Sequence, residues 1–404
     1  MNRVAERLQA VKPSASMAVS QAAKDLAATG VDVIDLGLGE PDFAAPAHIT
    51  EAAFDAARSQ RMLYTASLGT PETRRAIGAK FKRENDLDYA IDEIAVANGA
   101  KQIIFNALMA TVNPGDEVIL PAPYFVSYPE MAKLFGGVPV TPECPAETGF
   151  RLTPDVLEAA ITDRTRWLFL NMPGNPSGAV YSEDELKALG AVLENHPQVL
   201  VLSDEIYEHI VFDDRQFISF ARACPQLRER TLIVNGVSKA YAMTGWRVGY
   251  GAGPRWLIKA MATVQSQSCT SVCTVAQFAT IAALEGPQDA VAEFRAAFER
   301  RRDLVVEKIA RIDGLTLDAP EGAFYAYIGC AALIGSKTPS EAILVDDVAV
   351  ARYLLEQAHV AAVPGAAYGL SPFFRISTAT SEQTLSEAID RIAAAVSKLT
   401  LQSE

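Results

Sequence analysis

The chain has 404 residues, half of them hydrophobic and 21% charged, with a formal net charge of −13 and a pI near 4.9. A chain of this size buries about three quarters of its unfolded surface without staples and is expected to form two or three domains. The acidic balance excludes an extended nucleic-acid or anionic-membrane surface, since both need clustered Lys and Arg.

No apolar run approaches the ~18 residues of a membrane span. Arg3, Glu6, Arg7, Lys12 and Lys24 stand where a secretion signal would need an apolar core. The cysteines (Cys144, Cys224, Cys269, Cys273, Cys330) are odd in number and scattered, which reads as reduced cytoplasmic thiols. Cys269 and Cys273 are the one close pair, with no histidine nearby, and His48, His196, His209 and His359 are dispersed. No metal site is expected.

From about residue 94 the chain alternates β-rich runs with helical segments, the pattern of a parallel sheet covered by helices. The strand candidates are 94–97, 117–121, 138–141, 167–171, 199–203, 231–235 and 248–251. Thr153-Pro154 predicts a hydroxyl cap before an N1 proline, and Ser182-Glu-Asp-Glu185 predicts a capping box. Beyond Pro254 two long helical stretches are expected, about 255–284 and 288–311. Candidate strands at 323–328, 360–363 and 374–377 follow, too far apart to extend the first sheet. The fold class is therefore α/β, a large wound and mainly parallel sheet domain plus a smaller α+β domain. The expected boundaries are 48–289 for the large domain, with 1–47 and 290–404 forming a discontinuous small one.

In such sheets ligands bind beyond the carboxyl ends of the strands. Three of those ends are polar: Asn171-Met-Pro-Gly-Asn-Pro-Ser-Gly178, Ser203-Asp-Glu-Ile-Tyr207 and Gly236-Val-Ser-Lys239. Arg247 follows in Thr244-Gly-Trp-Arg-Val-Gly249, and Arg375 lies between Phe374 and Ile376. With Gly37-Leu-Gly-Glu-Pro-Asp-Phe43 near the start, these motifs resemble, in order and over nearly the whole chain, the class I aminotransferases, which are fold type I pyridoxal-phosphate enzymes. Lys12-Pro-Ser-Ala-Ser16, Asn98-Gly-Ala-Lys101 and Pro123-Tyr-Phe-Val-Ser-Tyr128 are most similar to the bacterial aspartate aminotransferases, some of which also use prephenate.

The resemblance implies that Lys239 carries the cofactor as a Schiff base and then moves protons, a task suited to a lysine whose pKa falls on desolvation. Asp204 would keep the ring nitrogen protonated, as an electron sink requires. Arg247 is the natural fork for the phosphate, with Ser238 and the helix start at Gly99, Ala100 and Lys101 adding donors. By the same resemblance Asn175 and Tyr207 bond the cofactor's phenolic oxygen and Phe125 stacks on its ring. Arg375 grips the substrate α-carboxylate with Asn175 and the backbone of Gly39. Lys101 and Ser16 face a distal carboxylate, and Tyr64 reaches the phosphate of a neighbouring subunit in a homodimer.

Several positions depart from the family pattern: Phe125 stands where tryptophan is commoner, Ser16 replaces threonine, Gly236 replaces a phosphate-binding serine, and Gly174 replaces a polar residue. Gly249-Tyr-Gly-Ala-Gly253 lacks the full dinucleotide spacing and reads as sheet packing. The implied activity is ping-pong transfer of an amino group between an amino acid, L-aspartate foremost, and a 2-oxo acid such as 2-oxoglutarate. Other amino donors, or a related lyase or synthase, are the alternatives. A regulator built on this fold would need an added basic DNA-binding segment, which the chain lacks.

Overall fold

The structure, a computed structural model, describes residues 4–59 and 61–400; Arg3, used in the signal-peptide argument, lies outside them. The strands are β1 (Ile34–Asp35), β2 (Ile94–Ala97), β3 (Glu117–Ile119), β4 (Val138–Val140), β5 (Thr165–Asn171), β6 (Leu200–Asp204), β7 (Thr231–Gly236), β8 (Gly249–Ala252), β9 (Tyr325–Gly329), β10 (Val360–Ala361), β11 (Val363–Pro364) and β12 (Phe373–Ser377). Seven of them form one sheet in the order β2-β8-β7-β6-β5-β3-β4. All its pairings are parallel except those of β8, which runs antiparallel to β2 and β7.

Alternation along the strands decides which layer each side chain joins. Trp167 and Phe169 of β5 pack on one face with Ile103, Leu202 and Val234, whereas Leu168 and Leu170 pack on the other with Leu186, Leu189 and Val201. Both faces are covered, so these strands read as continuous apolar runs. The glycines of β8 serve close packing: a Cβ on Gly249 would collide with the backbone of Gly99 and Ala100, and one on Gly251 would approach Ile103 to 2.8 Å. This sets β8 against the start of helix Ala100–Thr111.

A separate three-stranded sheet, β11-β12-β9, is antiparallel, and β1 pairs in parallel with β10. Leu36, from the N-terminal part, joins a core with Val305, Ile328, Phe374 and Leu385. Among the described residues no helix is long and apolar enough to cross a membrane.

Three local expectations need correction. The helical stretch 255–284 is two helices, Arg255–Ser268 and Thr274–Glu285, because Thr270 adopts a left-handed φ of 67° that no helix continues through. The run 360–363 is not one strand: it is divided at Ala362 between β10, which pairs with β1, and β11, which pairs with β12. Thr153 precedes helix Pro154–Ala160 without a side-chain cap bond. The Ser182 box does form, with Ser182 Oγ accepting from the Glu185 amide and Glu185 Oε2 accepting from the Ser182 amide at 2.8 Å.

Candidate active site

The parallel register of β5, β6 and β7 brings Asn171 beside Asp204, and Asp204 beside Val234, so the three polar strand ends open on the same side of the sheet. Beyond them lies a cleft of about 480 Å³, a size suited to a small ligand. Ser16, Gly39, Ala100, Lys101, Phe125, Asn175, Asp204, Tyr207, Ser238, Lys239, Arg247 and Arg375 all contribute to its wall. Gly99 lies just behind, under Arg247. Tyr64 is not brought to the cleft of its own chain and is 90% exposed.

Lys239 Nζ donates to the carbonyl of Gly39 at 2.6 Å and lies 5.9 Å from the Tyr207 ring centroid. Burial foremost, with Arg375 and Arg247, lowers its pKa to about 8 against the opposing pull of Glu40 and Asp204. Asp204, the last residue of β6, is the reverse case. Burial raises its carboxyl to about 6 despite a hydrogen bond from the Tyr128 hydroxyl to Oδ2 at 2.7 Å. Its Oδ1 is buried with no partner, a costly state for a carboxylate oxygen unless a ligand supplies a donor.

Arg375 enters from β12 and is buried. Its Nη1 donates to Asn175 Oδ1 at 3.0 Å and its Nη2 to the Gly37 carbonyl, while Nε has no partner. The guanidinium lies 4.4 Å from the Tyr325 ring centroid. The amide of Asn175 is held by Asn171 Oδ1 at 2.8 Å. Gly39 admits no side chain, because a Cβ there would overlap the Tyr325 hydroxyl. On the opposite wall Arg247, at a left-handed φ of 57°, bonds the Thr244 carbonyl at 2.9 Å and covers Gly99, whose own φ of 88° begins the helix at Ala100. The helix starts beside Arg247, and its Gln102 amide donates to the Gly99 carbonyl at 3.0 Å. Lys101 stands at the rim with its Nζ 5.2 Å from the Phe125 centroid, and partial desolvation against the cleft wall, with Arg247 nearby, lowers its pKa. Ser16 lines the cleft near Met17 and Gly37.

Sequence reasoning overlooked several residues. Tyr128 supports Asp204, and Tyr325 bonds the Tyr207 hydroxyl at 2.8 Å; both tyrosines lacked a polar strand-end context that would have singled them out. Behind the site, Glu208 and Lys80 form a buried ion pair to which Asn85 and Asn235 donate. The departures at glycine have steric correlates. A Cβ at Gly236 would sit 3.0 Å from Gly249 Cα and Val248 O, and one at Gly174 would sit 3.0 Å from Ser177 Oγ.

A wound α/β sheet that sets a desolvated lysine, a buried carboxylate and a buried arginine around one cleft is the arrangement of a transferase of the amino-group class. The family model for aminotransferase class I and II matches residues 31–392, and the chain belongs to that family; it is a pyridoxal-phosphate-dependent aminotransferase. It is 54% identical over 395 residues to a Rhizobium meliloti (strain 1021) protein named aspartate aminotransferase, covering 98% of this chain and 96% of the other. An aspartate/prephenate aminotransferase of Cereibacter sphaeroides is also 54% identical, over 97% of this chain and 98% of its own. Among solved structures, an aspartate aminotransferase from Rhizobium meliloti superposes with a TM-score of 0.97 at 53% identity, covering 99% and 100% of the two chains. One from Thermus thermophilus with maleate gives 0.90 at 43%, covering 98% and 100%.

Proposed function

We propose that this aminotransferase holds pyridoxal phosphate in the cleft and moves the amino group of L-aspartate to 2-oxoglutarate, with prephenate as a further acceptor. The observation that carries the reading is the placement, around one cleft, of Lys239, the unpartnered Oδ1 of Asp204 and the unpartnered Nε of Arg375. When bound, the cofactor supplies an aldehyde that condenses with amines and a ring that accepts the electron pair released at the substrate α-carbon.

Asp204 fits a protonated ring nitrogen: its buried Oδ1 gains the donor it lacks, and Tyr128 keeps Oδ2 in place. Lys239 would hold the cofactor through its aldehyde and, when free as an amine, would carry a proton at Nζ to and from the substrate α-carbon. Its pKa of about 8 leaves a useful neutral fraction at physiological pH. Arg247, Ser238 and the helix start at Gly99 and Ala100 would take the phosphate. Asn175 and Tyr207 would hold the cofactor's phenolic oxygen, and Phe125 would cover its ring. Arg375 offers Nε–H to the substrate α-carboxylate while Asn175 and Gly37 hold its other two nitrogens. Lys101 and Ser16, at the opposite side, take the distal carboxylate.

The functional unit in this reading is a cytoplasmic homodimer sharing its sites. Its supports are the exposure of Met62, Leu63 and Tyr64 side by side on the single chain and the five free thiols. The test is a donor panel of aspartate, glutamate, aromatic amino acids and alanine, each with 2-oxoglutarate, and prephenate as an alternative acceptor. Aspartate with 2-oxoglutarate is expected to be a productive pair. Elimination or condensation products without amino transfer would instead favour a lyase or synthase.

A further inference from the structure

The wall formed by residues 37–40 touches both reactive groups: Gly39 accepts from Lys239 and Gly37 accepts from Arg375. Yet this segment has little local support. Among the described residues, none from Leu38 to Ala45 makes a backbone–backbone hydrogen bond outside regular elements, and no helix or strand covers them.

What fixes it lies on the long helix Asp289–Ile309. Arg301 grips Asp42 through two parallel bonds, Nη1 to Oδ1 at 2.8 Å and Nη2 to Oδ2 at 2.9 Å. Its guanidinium stands 4.8 Å from the centroid of Phe43, and Phe43 stacks on Phe294 at 4.2 Å and meets Phe298 edge-on at 5.3 Å. Phe294, Phe298 and Arg301 are spaced four and three residues apart and so share a face of the helix. Asp42 and Phe43 thus dock as a polar and an aromatic plug, two residues beyond the cleft-lining Glu40.

Arg302 grips a different element. It bonds Asp213, on the turn that follows β6 and Tyr207, at 2.7 and 3.0 Å, and the Pro320 carbonyl, ahead of β9, at 2.8 Å. Adjacent arginines therefore tie one helix to two different segments, Arg301 to 37–43 and Arg302 to the turn at Asp213 and to Pro320.

We propose that Arg301 is a positioning residue for substrate carboxylates: through Asp42 it sets the carbonyls of Gly37 and Gly39, and with them the orientation of Arg375. The Gly37 carbonyl fixes Nη2 of Arg375, so a displaced segment leaves the guanidinium turned away from the α-carboxylate while Asp204, at the end of β6, stays in place. The inference rests on the dicarboxylate reading above for its ligand, and on the structure alone for its mechanics.

The experiment uses the cofactor-loaded enzyme and the variants Arg301→Met, Asp42→Asn, their combination, and Arg302→Met as control. Hydrogen–deuterium exchange of peptides spanning 36–46 reads the mechanics, and succinate titration, followed by the cofactor's visible spectrum, reads the consequence. Arg301→Met and Asp42→Asn are each expected to speed exchange in 36–46 and to weaken succinate about tenfold, with no further loss in the combination and an unchanged spectrum without ligand. Arg302→Met is expected to lower the melting temperature without either effect. Unchanged exchange in Arg301→Met, additive losses in the combination, or equal weakening in Arg302→Met would each overturn the proposal. Failure of the wild type to bind succinate would count against the dicarboxylate reading, while exchange would still decide the role of Arg301.

Discussion

Replacing Asp204 by asparagine is expected to stabilise the cofactor-free protein while removing its activity. Burial raises the folded-state pKa of Asp204 from 3.8 to about 6. With the folded pKa above the unfolded one, the native state binds more protons between these values, so stability falls as pH rises through that window and stays lower above it. The full penalty is about 3 kcal/mol at pH 7.5 and about 1 kcal/mol at pH 4.5, at 1.36 kcal/mol per pKa unit. Asparagine keeps an acceptor for the Tyr128 hydroxyl but sets an amide against the position of the unpartnered Oδ1, an offset of about 1–2 kcal/mol. The net expectation is a gain of about 1–2 kcal/mol at pH 7.5 that vanishes or reverses at pH 4.5. Urea unfolding of both proteins, stripped of cofactor, at the two pH values measures it. An Asp204→Asn protein no more stable at pH 7.5, or a difference independent of pH, would refute the argument that Asp204 is a desolvated charge awaiting a cationic partner.

Lys101→Ala is expected to lower kcat/KM for aspartate by about tenfold to a hundredfold, the value of a charged hydrogen bond, while sparing alanine and phenylalanine; equal losses would assign Lys101 to the cofactor or the fold. Because burial holds Lys239 near 8, its neutral fraction grows as pH rises toward that value. The rate of cofactor attachment to the stripped protein should therefore climb from pH 6.5 and level off above about 8, and a flat profile would contradict this. Lys80→Met leaves Glu208 buried without its cation and should cost about 3–5 kcal/mol in urea unfolding, whereas a loss under 1 kcal/mol would mean that the amide donors Asn85 and Asn235 suffice. Gly39→Ala, whose methyl overlaps the Tyr325 hydroxyl, should raise KM for aspartate with little change in the bound cofactor's spectrum; unchanged KM would show that the segment yields.

The amino-acid order by itself determined the seven-stranded sheet and the polar residues at its strand ends. Strands buried on both faces write themselves as short apolar runs, and a run that stops at Asn171, Asp204 or Gly236 marks the place where the sheet gives out to a cleft. The same signal could not distinguish one helix from two at 255–285, since the break comes from the backbone conformation of Thr270 inside an otherwise helical composition. Nor could it divide 360–363, where the partners β1 and β12 come from distant parts of the chain.

Only the tertiary structure decided how the cleft residues are supported. Tyr128, Tyr325 and Arg301 look like ordinary core or helix residues in sequence, and they become part of the site because folding sets their polar atoms against Asp204, Tyr207 and Asp42 across separations of 76, 118 and 259 residues. Spacing along a chain reports local periodicity, whereas a hydrogen bond between elements this far apart depends on the packing of everything between them.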